Sequence, residues 1–84
     1  MINRSIIEKY LKDNNYIIEN NYKGINISTD KKELLIKGTQ RDLIELADYI
    51  LDIALSKDND HLHLDNLTII NNNSQIKELI IEKE

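Results

Sequence analysis

The chain has 84 residues, a formal net charge of -4, two glycines, and no cysteine, tryptophan or phenylalanine. A chain of this length supports one hydrophobic core and hence one domain, 1–84, and it buries only about 60–65% of the surface it exposes when unfolded. The missing cysteines exclude a disulfide framework, a thiolate zinc site and a cysteine nucleophile, and two glycines leave no phosphate-cradling loop.

The opening stretch, "MINRSIIEKYLKDNN", lacks the apolar core and small-residue cleavage site of a signal peptide. No apolar run approaches the roughly 18 residues of a membrane span. A cytoplasmic protein without a membrane partner is therefore expected. Ser5 stands three residues before Glu8, the spacing of a capping box, and Ile6, Ile7, Tyr10 and Leu11 share one face. This predicts a short helix over 5–13. "YIIEN" at 16–20 reads as a strand, and "NYKG" at 21–24 as a turn, because Asn and Gly tolerate positive φ.

"INIST" at 25–29 alternates Ile25 and Ile27 with polar residues, and "ELLIKG" at 33–38 is a second β-rich run across the polar turn "DKK". The two should pair as a hairpin. "GTQRDLIELADYILDIALSK" then predicts a helix over 40–57, capped by Thr39 with Asp42 three positions on. Leu43, Leu46, Ala47, Ile50, Ile53 and Ala54 form a stripe at helical spacing, widened by Leu51 and Leu55, that is expected to face the core. Asp42, Glu45, Asp48 and Asp52 recur at three- and four-residue steps as an acidic ridge with Tyr49 among them. The ridge reads as a solvated helix face or, more sharply, as a contact surface for a basic partner with Tyr49 as its aromatic anchor.

"DHLHLD" at 60–65 alternates again, with Leu62 and Leu64 inward and His61, His63 and Asp65 outward. Three such side chains on one strand face have the types needed to hold Zn²⁺ or Ni²⁺, but strand-face histidines are usually only solvated or hydrogen-bonded. No metal, cofactor or catalytic role is assigned to them. "LTII" continues the strand past a bend at 65–66, "NNNSQ" is a loop, and "IKELIIEKE" closes the chain as a strand with Leu79 and Ile81 on one face. Together these elements describe an α+β fold, a mostly antiparallel sheet with one long amphipathic helix across it and a short N-terminal helix beside it.

The charge is unevenly spread. Residues 1–32 carry six basic and four acidic side chains, whereas 42–65 carry seven acidic residues against Lys57 alone. Such a segment repels a phosphate backbone and attracts a basic protein surface, so nucleic acid is not an expected partner.

The block from Glu33 to Glu82 resembles immunity protein family thirty-two of the bacterial polymorphic toxin systems. The likeness lies in "ELLIKGTQRDLIELADYIL", then "DHLHLD", then "ELIIEKE", with "HLHLD" the most distinctive string. The stretch after Asp65 lacks the Gly- and Trp-containing loop of some members. The resemblance implies a non-enzymatic inhibitor that binds and blocks a cognate toxin, with His61, His63 and Asp65 carried over only as the matching signature. The acidity of the middle segment suits a toxin with a basic surface, such as a nuclease. Two other classes remain open from the residues alone: a small homo-oligomeric regulator or scaffold, and a metal-binding protein using His61, His63 and Asp65.

Overall fold

In the computed structural model, which describes residues 5–84 and Ser5 by its backbone only, helix α1 spans Ser5–Asp13. The predicted Ser5 cap lies outside the described side chains. Asn14 and Asn15 end the helix: the Asn14 side-chain amide donates to the Tyr10 carbonyl at 2.8 Å, and Asn15 takes positive φ. Glu8 accepts from Arg41 at 2.6 Å, tying α1 to the start of the second helix.

No strand forms over 16–20. The side chain of Gln40 donates to the Ile17 carbonyl at 2.9 Å and accepts from the Glu19 N–H at 2.8 Å. A single amide thus supplies the donor and acceptor that a neighbouring strand would offer, and the segment needs no ladder.

The predicted hairpin is present as β1 (Asn26–Asp30) and β2 (Glu33–Lys37), antiparallel with Ile27 opposite Ile36. The outer edge of β1 is closed by later chain. Ile25 N–H donates to Ile69 O at 2.7 Å, Asn71 N–H to Ile25 O at 2.8 Å, and Ile76 N–H to Ile27 O at 2.9 Å. Ser74, only 1% exposed, accepts from Ile27 N–H at 2.8 Å and approaches the Ile27 and Ile76 carbonyls at 3.1 and 2.7 Å. Gly24 has φ +82°, and a Cβ there would sit 3.0 Å from Asn71 N. Only glycine lets the two segments approach so closely.

Helix α2 runs Gln40–Ala54, with Thr39 and Asp42 forming the predicted capping box. It stops earlier than 57 because Ser56 turns its hydroxyl and its N–H onto the Ile53 carbonyl, at 2.7 and 3.2 Å.

Its rotation about its own axis differs from the expectation. Leu46 and Ile53 are buried, but Leu43 and Ile50 are 44% and 46% exposed, and Ala47 and Ala54 are exposed with them. The acidic ridge turns inward instead, with Asp42, Glu45 and Asp48 only 3%, 9% and 3% exposed. The cause is Asp42, whose carboxylate accepts backbone N–H groups from Lys23 and Gly24 at 3.0 Å each and from Thr39 at 3.0 Å. Once Asp42 is fixed inward, Glu45, Leu46, Tyr49 and Ile53 follow on the same face at three- and four-residue steps.

Strands β3 (His61–Leu64) and β4 (Leu79–Glu82) form a second antiparallel pair, with His61 opposite Glu82 and His63 opposite Ile80. "LTII" does not extend β3. Residues 66–69 turn, and Ile70 bridges in parallel to Ile25. The class is α+β with antiparallel strands, arranged in two hairpins. Ile25, Ile27, Leu46, Leu64, Ile69 and Ile70 make the core, with Ile36, Tyr49, Leu62, Ile76, Leu79 and Ile81 packed half-buried against it.

Candidate functional site

The outward face of the β3–β4 hairpin is set by strand alternation. Leu64 is buried, and Leu62, Leu79 and Ile81 pack against the core. His61 and His63, Ile80 and Glu82 take the opposite face. The two imidazoles stand edge to face with ring centroids 5.0 Å apart. His63 Nδ1 lies 3.3 Å from Glu78 Oε2, with both side chains about half exposed. A pair so open to solvent positions side chains more than it stabilises the fold, contributing about 0–1 kcal/mol.

The charges on and beside β4 are sorted as well. Glu78, Ile80 and Glu82 fall at one parity and Lys77 and Lys83 at the other. Each lysine is held by a carbonyl: Lys77 Nζ donates to Asn72 O at 2.6 Å and Lys83 Nζ to Ser56 O at 2.5 Å. The face is thus a patch of two carboxylates and two imidazoles around Ile80, which is 54% exposed. Beside His61 a shallow depression of about 170 Å³, lined also by Asp52, Ser56 and Asp60, continues the acidic surface onto the end of α2. Carboxylates in this setting accept forked hydrogen bonds from guanidinium groups, and an exposed isoleucine among them offers an apolar centre to a contact.

The residues singled out from the sequence are therefore divided. His61 and His63 are exposed and adjacent. Asp65 lies beyond the end of β3, where its carboxylate accepts the Leu67 N–H at 2.9 Å and shapes a turn. It does not join the histidines, and among the described residues no group of three His, Asp or Glu side chains is placed to hold a metal ion. Tyr49 and Asp52 are half-buried. Asp42, Glu45 and Asp48 are buried, which corrects the expectation of a solvent-facing ridge. Asp42 has a structural task instead. Burial alone would raise its carboxyl pKa, but the backbone N–H groups of Thr39, Gly24 and Lys23 and the Thr39 side chain outweigh this and lower it below the ordinary value. Glu78, Ile80 and Glu82 were not singled out from the sequence, although the alternation in "ELIIE" carries the signal.

A family model described as Immunity protein 32 matches residues 33–84, more than half of the chain and all of β2, α2, β3 and β4. Neither the curated proteins nor the solved structures gave a match. No helix among the described residues is long and apolar enough to cross a membrane.

Proposed function

Because the chain belongs to the Immunity protein 32 family, we propose that it neutralises a cognate bacterial toxin by binding, through the outward face of β3–β4, a basic surface that the toxin needs for its activity. The observation that carries this reading is the segregation of charge on that face, with Glu78 and Glu82 around Ile80 and His63 while Lys77 and Lys83 are held elsewhere. Asp52 and Asp60 extend it beside His61. A nuclease fits as the target, since nucleases grip phosphate through Lys and Arg and an acidic patch competes for those groups. Inhibition is by steric and electrostatic occlusion, with no chemical step. The absence of cysteine suits action in a reducing cytoplasm.

The test uses the toxin domain encoded by the neighbouring gene and association rates measured across a salt series. Replacing Glu78 and Glu82 together by Lys should slow association at low salt and flatten its salt dependence, because steering by exposed charge is screened over about 8 Å at physiological ionic strength. The thermal midpoint should stay within about 2 °C, since both side chains stand in solvent. An unchanged rate at low salt would remove this face from the interface.

A further inference from the structure

β2 is the outermost strand of its hairpin, and the directions of its backbone groups can be read from β1. Ile25, Ile27 and Thr29 spend their N–H or C=O groups on residues 69–76, away from β2. In an antiparallel pair these directions alternate, so Asn26, Ser28 and Asp30 bond Lys37, Leu35 and Glu33, and the N–H and C=O of Leu34 and Ile36 point outward. Among the described residues no hydrogen bond from outside the hairpin reaches them. Protected edges usually carry a central lysine or a proline. Here the centre is Leu-Leu-Ile, with Leu34 and Leu35 57% and 58% exposed, and the charges stand only at the ends, Glu33 and Lys37.

We propose that β2 is a self-pairing edge, through which two copies of this chain join antiparallel about a two-fold axis at Leu35. Three features select the same register. The outward groups of Leu34 meet those of Ile36 in the second copy, and the reverse, so both open residues of each strand are satisfied. Leu35 then packs on its own counterpart. Glu33 lies opposite the second copy's Lys37, twice by symmetry, in the closer, non-hydrogen-bonded type of pair where cross-strand charges interact best. Moving the axis to Leu34 or to Ile36 sets Glu33 or Lys37 against a leucine and leaves one open residue unmatched. Neither Glu33 nor Lys37 forms an ion pair within the described residues. The pairing adds no charge repulsion along the strand and joins two hairpins into a four-stranded sheet. It does not rest on the toxin reading, which concerns the other hairpin.

Five residue pairs cover far less than the roughly 1,600 Å² of a standard interface, so the dimer should be weak and concentration-dependent. Sedimentation velocity of the full chain over about 5–500 µM reads it directly. Glu33→Lys and Lys37→Glu each convert two attractions into two repulsions and should weaken dimerisation about tenfold. The doubly reversed chain restores the complement and should return to within about threefold of the original. All these side chains are exposed, so folding is not at stake. A chain that stays monomeric at the highest concentration would overturn the proposal, and so would single reversals without effect or a double reversal that fails to rescue. If β2 instead takes up a strand of the toxin, the reversals lower toxin affinity while the free chain sediments as a monomer, and self-pairing is refuted.

Discussion

Asp42 offers the sharpest test of how the chain is held together. Its carboxylate is 3% exposed and accepts three backbone N–H groups, two of them from residues 18 and 19 positions earlier. Hydrogen bonds to a charged acceptor contribute about 1.5–3 kcal/mol each, and a buried donor left without a partner costs about 1–3. The three N–H groups are only partly buried, which lowers the sum. Asp42→Ala should therefore cost about 3–5 kcal/mol, and Asp42→Asn, which keeps one acceptor oxygen, about 2–3. An 84-residue chain has a total of only about 4–13 kcal/mol, so the alanine variant will be marginal and the asparagine variant is the one to measure.

The pH dependence follows from the lowered pKa. A carboxyl whose folded value is depressed stabilises the fold in full above its ordinary value of 3.8, and that contribution is lost as pH falls through the lower folded value. Urea unfolding followed by circular dichroism should show a gap between the native chain and Asp42→Asn that is widest at neutral pH and narrows below about pH 4. Other carboxylates titrate in both proteins and cancel from the difference. A gap below about 0.5 kcal/mol at neutral pH, or one that does not narrow in acid, would refute the anchoring role assigned to this side chain.

Two further outcomes are expected. Ser74→Ala should destabilise by about 1–3 kcal/mol in the same urea assay, because the Ile27 N–H is left buried without its acceptor; a neutral effect would mean that this contact does not hold the loop to β1. Leu64→Ala should cost about 2–4 kcal/mol and His63→Ala under about 1, since the first side chain is fully buried and the second stands in solvent, and equal losses would contradict the assignment of faces in β3.

Much of this arrangement is legible in local pattern. The period-two runs "INIST" and "HLHL" place Ile25, Ile27 and Leu64 in the core, and the Thr39–Asp42 spacing marks the start of α2. The local pattern fails where a distant residue decides. Leu43, Ala47, Ile50 and Ala54 form as good a helical stripe as the one that is buried, and hydropathy favours it. What turns α2 the other way is a set of donors around Lys23 and Gly24, and no window along α2 contains them. Ser74 reads as a loop serine because its partner, Ile27, is 47 residues away. The 16–20 segment has the composition of a strand, yet its Ile17 carbonyl and Glu19 N–H are taken by the side chain of Gln40. The site follows the same rule. The histidines announce themselves in β3, while the carboxylates that give their face its sign come from β4 and the residue just before it, Glu82 and Glu78.

The inward turn of the ridge separates two roles that the sequence merges. Attraction of a basic partner over a distance depends on the summed charge, so exposed acidic residues contribute to it even where they lie far from the contact. Contact requires exposed atoms in one continuous patch, and the carboxylates of α2 that are buried do not supply it. In the proposed complex, steering is therefore a property of the whole acidic chain, while the contact falls on β3–β4, where His63 and Glu78 are already in register and Ile80 offers apolar surface. Charge changes far from that face should alter the association rate alone, whereas truncating Ile80 should act on the dissociation rate, because a packed apolar contact is formed only after encounter.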